Sequence, residues 1–379
     1  ITYDYGGREE KVETNHVRKE DMKIKYREEL EYFRDKVNGG KTYEGKMITQ
    51  IADINLQGSS SNRWTPIGTS DTVVFKGTYE GKKHQIKNLY INTTLNYQGL
   101  FGSNAGTIKN VTIESGSITT SGGKVAGISG YNTGTISGCI NKANISSTVG
   151  YVEEGGCLRA DCGGIAGLNS YDGKIENCAN FGNVFGNGKL VGGISGFTSG
   201  GCIIKCYNSG NITSNAQQIG GITGDLDGEK TDYTVTMDSC YNIGVITSQN
   251  SNIDAIKREE ATYCGVGGLT GCIYINAEIK NCYNVGNVIL RINTSMGDYF
   301  NNTYGSITGS KHGNENKITN TFYLDTTSDR GVYDYINGTT SNDGIKTSAE
   351  LKSLATTLGT SFKEDTNNIN NGYPILIWQ

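Results

Sequence analysis

The chain has 379 residues, only 35% of them hydrophobic, and a formal net charge of −4 with a pI of about 5.6. It is therefore long enough for a sizeable core but poor in the apolar residues needed for a thick one. No basic stripe or base-stacking module favours nucleic acid, and no apolar run of about 18 residues favours a transmembrane segment. Glycine is abundant, with 54 copies against two prolines.

Residues 1–25 are charged and aperiodic and read as a lead-in segment. No basic region followed by an apolar stretch opens the sequence, which by itself does not argue for a cytoplasmic protein. From Tyr26, helical spacing places Tyr26, Leu30, Phe33 and Val37 on one face, and Asn38, Gly39 and Gly40 stop the pattern. A capping helix over residues 26–40 is predicted, covering one end of a stacked structure whose strand edges need shielding. Residues 41–98 follow as approach coils. There Ile48, Ile51, Ile54 and Leu56 are expected to face inward, with Trp64, Pro66, Ile67, Val74, Phe75 and Tyr79 widening the core. His84 has no nucleophile or carboxylate partner identifiable from sequence and reads as a turn or surface residue.

The repeats, residues 99–304, organise the chain. A Gly-aliphatic-x-Gly tetrad recurs at Gly99, Gly127, Gly164, Gly193, Gly221 and Gly268 in steps of 28, 37, 29, 28 and 47 residues, with a degraded copy at Gly305. A second element, typically Ile-x-x-Cys, ends at Val111, Cys139, Cys178, Cys206, Cys240 and Cys282. Two residues after each cysteine stands Asn141, Asn180, Asn208, Asn242 or Asn284. Six residues after it stands Ile145, Val184, Ile212, Ile246 or Val288. Segments this short, broken by Gly, Asn and Ser, suit strands and turns rather than helices. One unit cannot bury its apolar side, whereas stacked units build a continuous core and parallel ladders. The predicted fold is therefore all-β: a parallel β-solenoid, a right-handed β-helix, with short amphipathic helices near both ends. The aligned asparagines are expected to bond to their copies in neighbouring coils, as ladders of identical polar residues do.

Cys139, Cys178, Cys206, Cys240 and Cys282 share one register position. They are expected to form a buried structural ladder of free thiols, because parallel side-chain directions make bridging awkward. Cys157, Cys162, Cys202, Cys264 and Cys272 lie off register. Cys157 and Cys162 are close enough to pair, and the paired Cys-x-x-Cys spacing of a zinc site is missing.

Four insertions interrupt the period, at residues 146–161, 225–236, 247–263 and 290–304. The last two follow equivalent points of adjacent units and are predicted to lie side by side. Beyond Gly305 the repeat decays. Thr347 to Gly359 then places Leu351, Leu354, Ala355 and Leu358 on one helical face. The chain ends in a short apolar strand whose Trp378 is expected to tuck against the core. Nothing in residues 26–379 indicates a second domain.

The tetrads, the approach segment from Trp64 to Ile91 and the ending NNGYPILIWQ together resemble the GLUG-repeat surface proteins of clostridia and other anaerobic bacteria. The resemblance spans about Glu28 to Gln379. It implies a secreted or cell-wall-associated module, often part of a larger protein, that serves adhesion or substrate binding. It supplies no catalytic motif.

Three readings of function follow. The first is a non-catalytic extracellular module, monomeric within a larger protein, that binds a host or cell-wall glycan or protein through its insertions. The candidate contacts are Tyr151, Tyr233, Tyr263, Tyr299, Phe300 and Tyr304, rigid aromatic side chains with a polar tip in all but one case. The second is a rigid spacer that displays other domains. The third is a polysaccharide lyase or glycoside hydrolase using paired carboxylates. Glu176 and Asp238 do not form an aligned acid pair, and His16, His84 and His312 are far apart in sequence. No cofactor is indicated beyond a fragment of a calcium loop, Asp225, Asp227 and Glu229, which lacks the later bidentate glutamate.

Overall fold

The computed structural model describes residues 21–149, 159–215, 218–228, 234–249, 265–290, 303–334 and 339–379, with residues 2–4, 9–11, 151–152 and 156–157 as backbone alone. Strands Thr2–Asp4 and Glu9–Lys11 pair antiparallel. The solenoid begins at Met22–Ile24, which pairs in parallel with Ile48–Gln50, so the predicted lead-in already contributes a strand. Helix α1 spans Arg27–Asn38, and Leu30, Phe33 and Val37 are buried. Tyr26 is the N-cap and is 48% exposed rather than part of the buried face. The Phe33 ring meets Tyr43, Phe75 and Tyr79 at 5.1, 5.6 and 6.0 Å, closing the wide first coils. Each fully buried side chain of that face contributes roughly 1.5–3 kcal/mol of apolar burial. In the approach coils Ile48, Ile54 and Leu56 point inward as expected, whereas Ile51 is exposed. The strand period of two instead turns Gln50 inward, where it accepts a hydrogen bond from the Tyr79 hydroxyl at 3.2 Å.

One regular coil shows how the repeat folds. Ser195–Ser199, directly after the tetrad glycine Gly193 and Ile194, joins the tetrad sheet. Cys202–Ile204 and Tyr207–Asn208 both join the cysteine sheet, bent between them at Lys205, whose φ is 53°. Ile212–Ser214 joins the Ile/Val sheet, and Ile219–Gly220 joins a short sheet that leads into the next tetrad. Parallel pairing carries each strand to its copy in the next coil: Ser195 to Thr223, Ile203 to Met237, Ile212 to Ile246, and Ile219 to Val266. The core of this coil is Ile194, Ile203, Cys206, Ile212 and Ile219, all fully buried. A few branched side chains per coil suffice because the core extends along the axis rather than in thickness.

Two polar ladders run inside this stack. Asn141, Asn180, Asn208, Asn242 and Asn284 are wholly buried, and each of the first four side-chain amides donates to the next Oδ1 at 2.8 Å. Each also donates to the carbonyl two residues on, as Asn208 does to Gly210 at 2.8 Å. The tetrad glycines make room for this arrangement. A Cβ on Gly193 would fall 2.2 Å from the Gly221 carbonyl oxygen and 2.3 Å from Asn208 Cγ, and one on Gly196 would fall 2.3 Å from the Cys162 nitrogen. A second ladder, not anticipated from sequence, links Asn104, Asn132 and Asn169 at 2.7 and 2.8 Å.

The expected cysteine ladder is present. Cys139, Cys178, Cys206, Cys240 and Cys282 are free, fully buried thiols. The backbone N–H of Cys139, Cys178 and Cys240 donates to the sulfur in the next coil at 3.3–3.4 Å. Burial pushes the thiols of Cys139, Cys206 and Cys282 well above their ordinary range. Cys162 is also free and buried, donating toward the Phe185 carbonyl, so it is not bridged to Cys157. Pairing fails because Cys162 lies in the short sheet, bridged to Val125 and Val191.

The C-terminal segment packs against the outside of the solenoid. Helix α2 is only Ser348–Lys352, shorter than predicted, with Thr347 and Glu350 forming a capping box. Phe362–Lys363 pairs antiparallel with Ile375–Leu376. Beneath this strap Tyr207, Tyr241 and Tyr283 stack face to face at 4.9 Å with interplanar angles of 5° and 3°. Trp378 therefore meets this outer tyrosine stack rather than the inner core: its ring is 5.6 Å from that of Tyr207, and its Nε1 donates to the Lys205 carbonyl at 2.9 Å. Tyr241 donates to Gln379 at 2.9 Å, and the Tyr283 hydroxyl bonds to the Pro374 carbonyl.

Candidate functional site

The insertions single out one side of the solenoid. The first, third and fourth all leave the Ile/Val sheet, after Asn144–Ser147, Ile246–Ser248 and Val288–Leu290, and return into the short sheet. The third and fourth have directly paired roots, Ile246 with Val288 and Val266 with Tyr304, while most of both insertions, predicted to lie side by side, is outside the described residues. The second lies at the other border of the tetrad sheet, between Thr223–Asp227 and Val235–Asp238. The roots of the insertions thus flank the short and tetrad sheets.

Two outward columns run along this seam. On the short sheet, Tyr97, Lys124, Asp161, Leu190 and Gln218 hold left-handed backbone with φ of 38–69°. Each precedes a residue of one bridged series, Gln98, Val125, Cys162, Val191 and Ile219. On the tetrad sheet the residue after each tetrad forms the second column: Ser103, Tyr131, Leu168, Phe197, Asp225, Cys272 and Ser310. Leu168, Leu190 and Phe197, with Tyr131 against them, cluster apart from the main core, whereas the next residues Leu226 and Ile273 belong to it.

The chemistry changes along the seam. At its start Lys124 donates to the Tyr97 hydroxyl at 3.0 Å, and its Nζ lies 4.5 and 5.0 Å from the Tyr97 and Tyr131 ring centres. Next, Arg159 grips Asp161 through Nε and a terminal nitrogen at 3.0 and 3.2 Å and stands 4.7 Å over the Phe197 ring. Burial raises the Asp161 carboxyl, and the Arg159 charge opposes that shift. Further on, Gln218 donates to Asp225 Oδ2 at 3.0 Å while Asp225 Oδ1 is buried without a partner. Burial foremost, and then the Asp227 charge, holds the Asp225 carboxyl well above the ordinary range. At the far end His312 Nε2 and Ser310 Oγ are 3.2 Å apart, and burial lowers His312 to about 4, leaving a neutral imidazole. A serine within reach of a neutral imidazole is the beginning of a nucleophile and base pair. Ser310 is fully buried, so here the contact satisfies two packed polar groups.

Of the residues chosen from sequence, Tyr304 sits at the edge of the short sheet, donating to Asp329 at 2.8 Å beneath the Arg330 guanidinium, 4.2 Å from its ring. Tyr151 belongs to a short strand paired with Cys157, its side chain outside the described residues. Tyr233, Tyr263, Tyr299, Phe300 and Glu229 also lie outside them. Asp225 and Asp227 occupy the seam as alternate residues of one strand. Among the described residues no group of three His, Cys, Asp or Glu is placed to hold a metal ion. Glu176 and Asp238 share a column with Ile204 between them, and Glu176 pairs with Lys174 at 2.7 Å. His84 does have a carboxylate neighbour, Asp53 at 3.5 Å, on a partly exposed surface. Sequence reasoning missed Lys124, Arg159, Asp161 and Gln218, which belong to no repeated motif. The signal for the second column was the one variable position directly after each conserved tetrad.

Among the described residues no helix is long and apolar enough to cross a membrane. No protein-family model matches the chain, and no curated protein matches it. The fold is similar to the crystal structure of a Bacteroides ovatus protein described provisionally as an immunoglobulin A1 protease. The TM-score is 0.57 at 20% identity, covering 96% of this chain and 94% of that one. At that identity the likeness concerns architecture, and the architecture is a parallel β-solenoid.

Proposed function

We propose that this chain is a secreted or cell-surface binding module of the GLUG-repeat kind, which holds a host or cell-wall glycan or protein against the insertion-bordered seam. The observation that carries this reading is where the insertions are rooted: the first, third and fourth leave from one corner of the coil and the second from the opposite border of the tetrad sheet. Repeat proteins gather insertions at the face they use. The test is a glycan array together with pull-downs from host and wall extracts, using the native chain and a variant with the third and fourth insertions shortened. Loss of a saturable ligand on shortening is expected, and undiminished binding would overturn the assignment. A rigid spacer is the second reading, favoured by the continuous asparagine and cysteine ladders. It predicts no saturable ligand at all.

A further inference from the structure

The start of the seam has the chemistry of a site for an acidic linear glycan. Tyr171 lies on the turn after the tetrad strand of its coil, 64% exposed although it is a large aromatic. It follows by three residues Leu168, the parallel-register partner of Tyr131 in the coil before. Tyr131 in turn meets Tyr97 edge to face at 6.1 Å and 72°. Lys124 is fixed between Tyr97 and Tyr131 by one hydrogen bond and keeps two ammonium donors for a ligand. One coil further, the Arg159 side chain is half exposed. Asp161 takes its Nε and one terminal nitrogen, and the other terminal nitrogen is left over. Asp71 is the carboxylate that acts on Tyr131 from the loop side, and Asp161 is buried behind Arg159. Aromatic faces with two cations one coil apart therefore line a surface that the repeat itself does not require.

We propose that Tyr171, Tyr97 and Tyr131 stack the sugar rings of a polyuronate while Lys124 and Arg159 take its carboxylates, the glycan running along the solenoid axis. This rests on the binding reading above and names the ligand class. Ring faces favour sugars through stacking, and the ammonium and guanidinium favour those that carry carboxylates.

The experiment uses the full chain with three probes: polygalacturonate oligomers, the same oligomers fully methyl-esterified, and poly-glutamate. Calorimetry is run at low and at physiological salt, for the native chain and for Tyr171→Ala, Lys124→Gln and Lys124→Arg, each checked for native far-UV dichroism. Binding of the polyuronate is expected to weaken at least tenfold on esterification, on Tyr171→Ala and on Lys124→Gln, to recover in Lys124→Arg, and to fall with salt. Equal affinity for the ester, tighter binding of poly-glutamate, or unchanged affinity in both Tyr171→Ala and Lys124→Gln overturns the inference. Should the array yield another ligand that both variants retain and the shortened-insertion variant loses, the glycan assignment fails while the binding module stands. If the native chain has no saturable ligand, both fall.

Discussion

Asn208 is the most exacting test of how the coils are held together. Its amide donates to Asn242 Oδ1 and to the Gly210 carbonyl, both at 2.8 Å, and its Oδ1 accepts from Asn180 at 2.8 Å, all inside a fully buried column. Asn208→Ala removes three bonds. At roughly 1 kcal/mol net per bond, with a further penalty for buried partners left short of a donor or acceptor, the expected loss is about 3–5 kcal/mol. Asn208→Asp should be worse at neutral pH, because a carboxylate would face two acceptors, Gly210 O and Asn242 Oδ1. The contrasting site is Asn211, exposed on the same coil, whose Oδ1 accepts a single bond from the Val245 N–H at 3.1 Å. Asn211→Ala should cost less than about 1 kcal/mol. Urea unfolding followed by far-UV dichroism, with the slope m compared between variants, reads both values. If Asn208→Ala lies within about 1 kcal/mol of native, or if Asn211→Ala costs as much as it does, the buried ladder is not what ties the coils together.

Other parts of the fold give further expectations. The ladder thiols should resist an aromatic disulfide reagent until the protein unfolds, whereas the half-buried Cys202 reacts first; native-state labelling of Cys206 at the Cys202 rate contradicts this. The folded-state pKa of Asp225 is raised, so its contribution to stability is complete below the unfolded carboxylate value of about 4 and is lost as pH rises through the folded value. Asp225→Asn should accordingly raise the urea midpoint relative to native at pH 7, with the gap closing toward pH 4, and a gap that widens on acidification counts against the buried, uncharged carboxyl. Trp378→Ala should loosen the strap by about 2–3 kcal/mol, accelerating hydrogen exchange over residues 347–379. Equal acceleration in the repeat strands would mean that strap and coils unfold as one.

The coil was legible in sequence because each of its inward positions repeats: Ile203, Met237 and Ile279 stack in one column, and Cys206, Cys240 and Cys282 in the next. The helical face of Leu30, Phe33 and Val37 was equally plain. What misled was local periodicity without neighbours. Tyr26 fits the helical spacing but caps the helix from outside, and Ile51 fits an apolar pattern while the strand turns the polar Gln50 inward. The second helix ends at Lys352, yet Leu351, Leu354 and Leu358 still reach the one cluster with the tyrosine stack, so the apolar spacing marked the contact and not the helix length. The seam stayed hidden for a different reason. Lys124 and Arg159 are 35 positions apart in the sequence and come to adjacent coils because Val125 and Cys162 pair in register across the first insertion, which hides the relation in the sequence.

That difference between columns bears on where function can reside in a solenoid. Along the asparagine ladder one residue type is kept from Asn141 to Asn284, since each of Asn180, Asn208 and Asn242 is both donor and acceptor for its neighbours and an exception there leaves two coils short of partners. The tetrad glycines facing it are fixed by the same geometry, with no space for a Cβ at Gly193. The column directly after each tetrad carries no such obligation: it passes through Ser103, Tyr131, Leu168, Phe197, Asp225, Cys272 and Ser310 while the strands beneath it stay in parallel register. Packing therefore dictates the inward columns and leaves this outward one free to vary from coil to coil. Of this column only Tyr131 escapes burial, so a ligand along the axis would meet it and the charged side chains beside it rather than every step of the column. The stretch from Val191 to Ile212 accordingly supplies the scaffold, and Phe197, the residue within it that the repeat does not dictate, belongs to the seam.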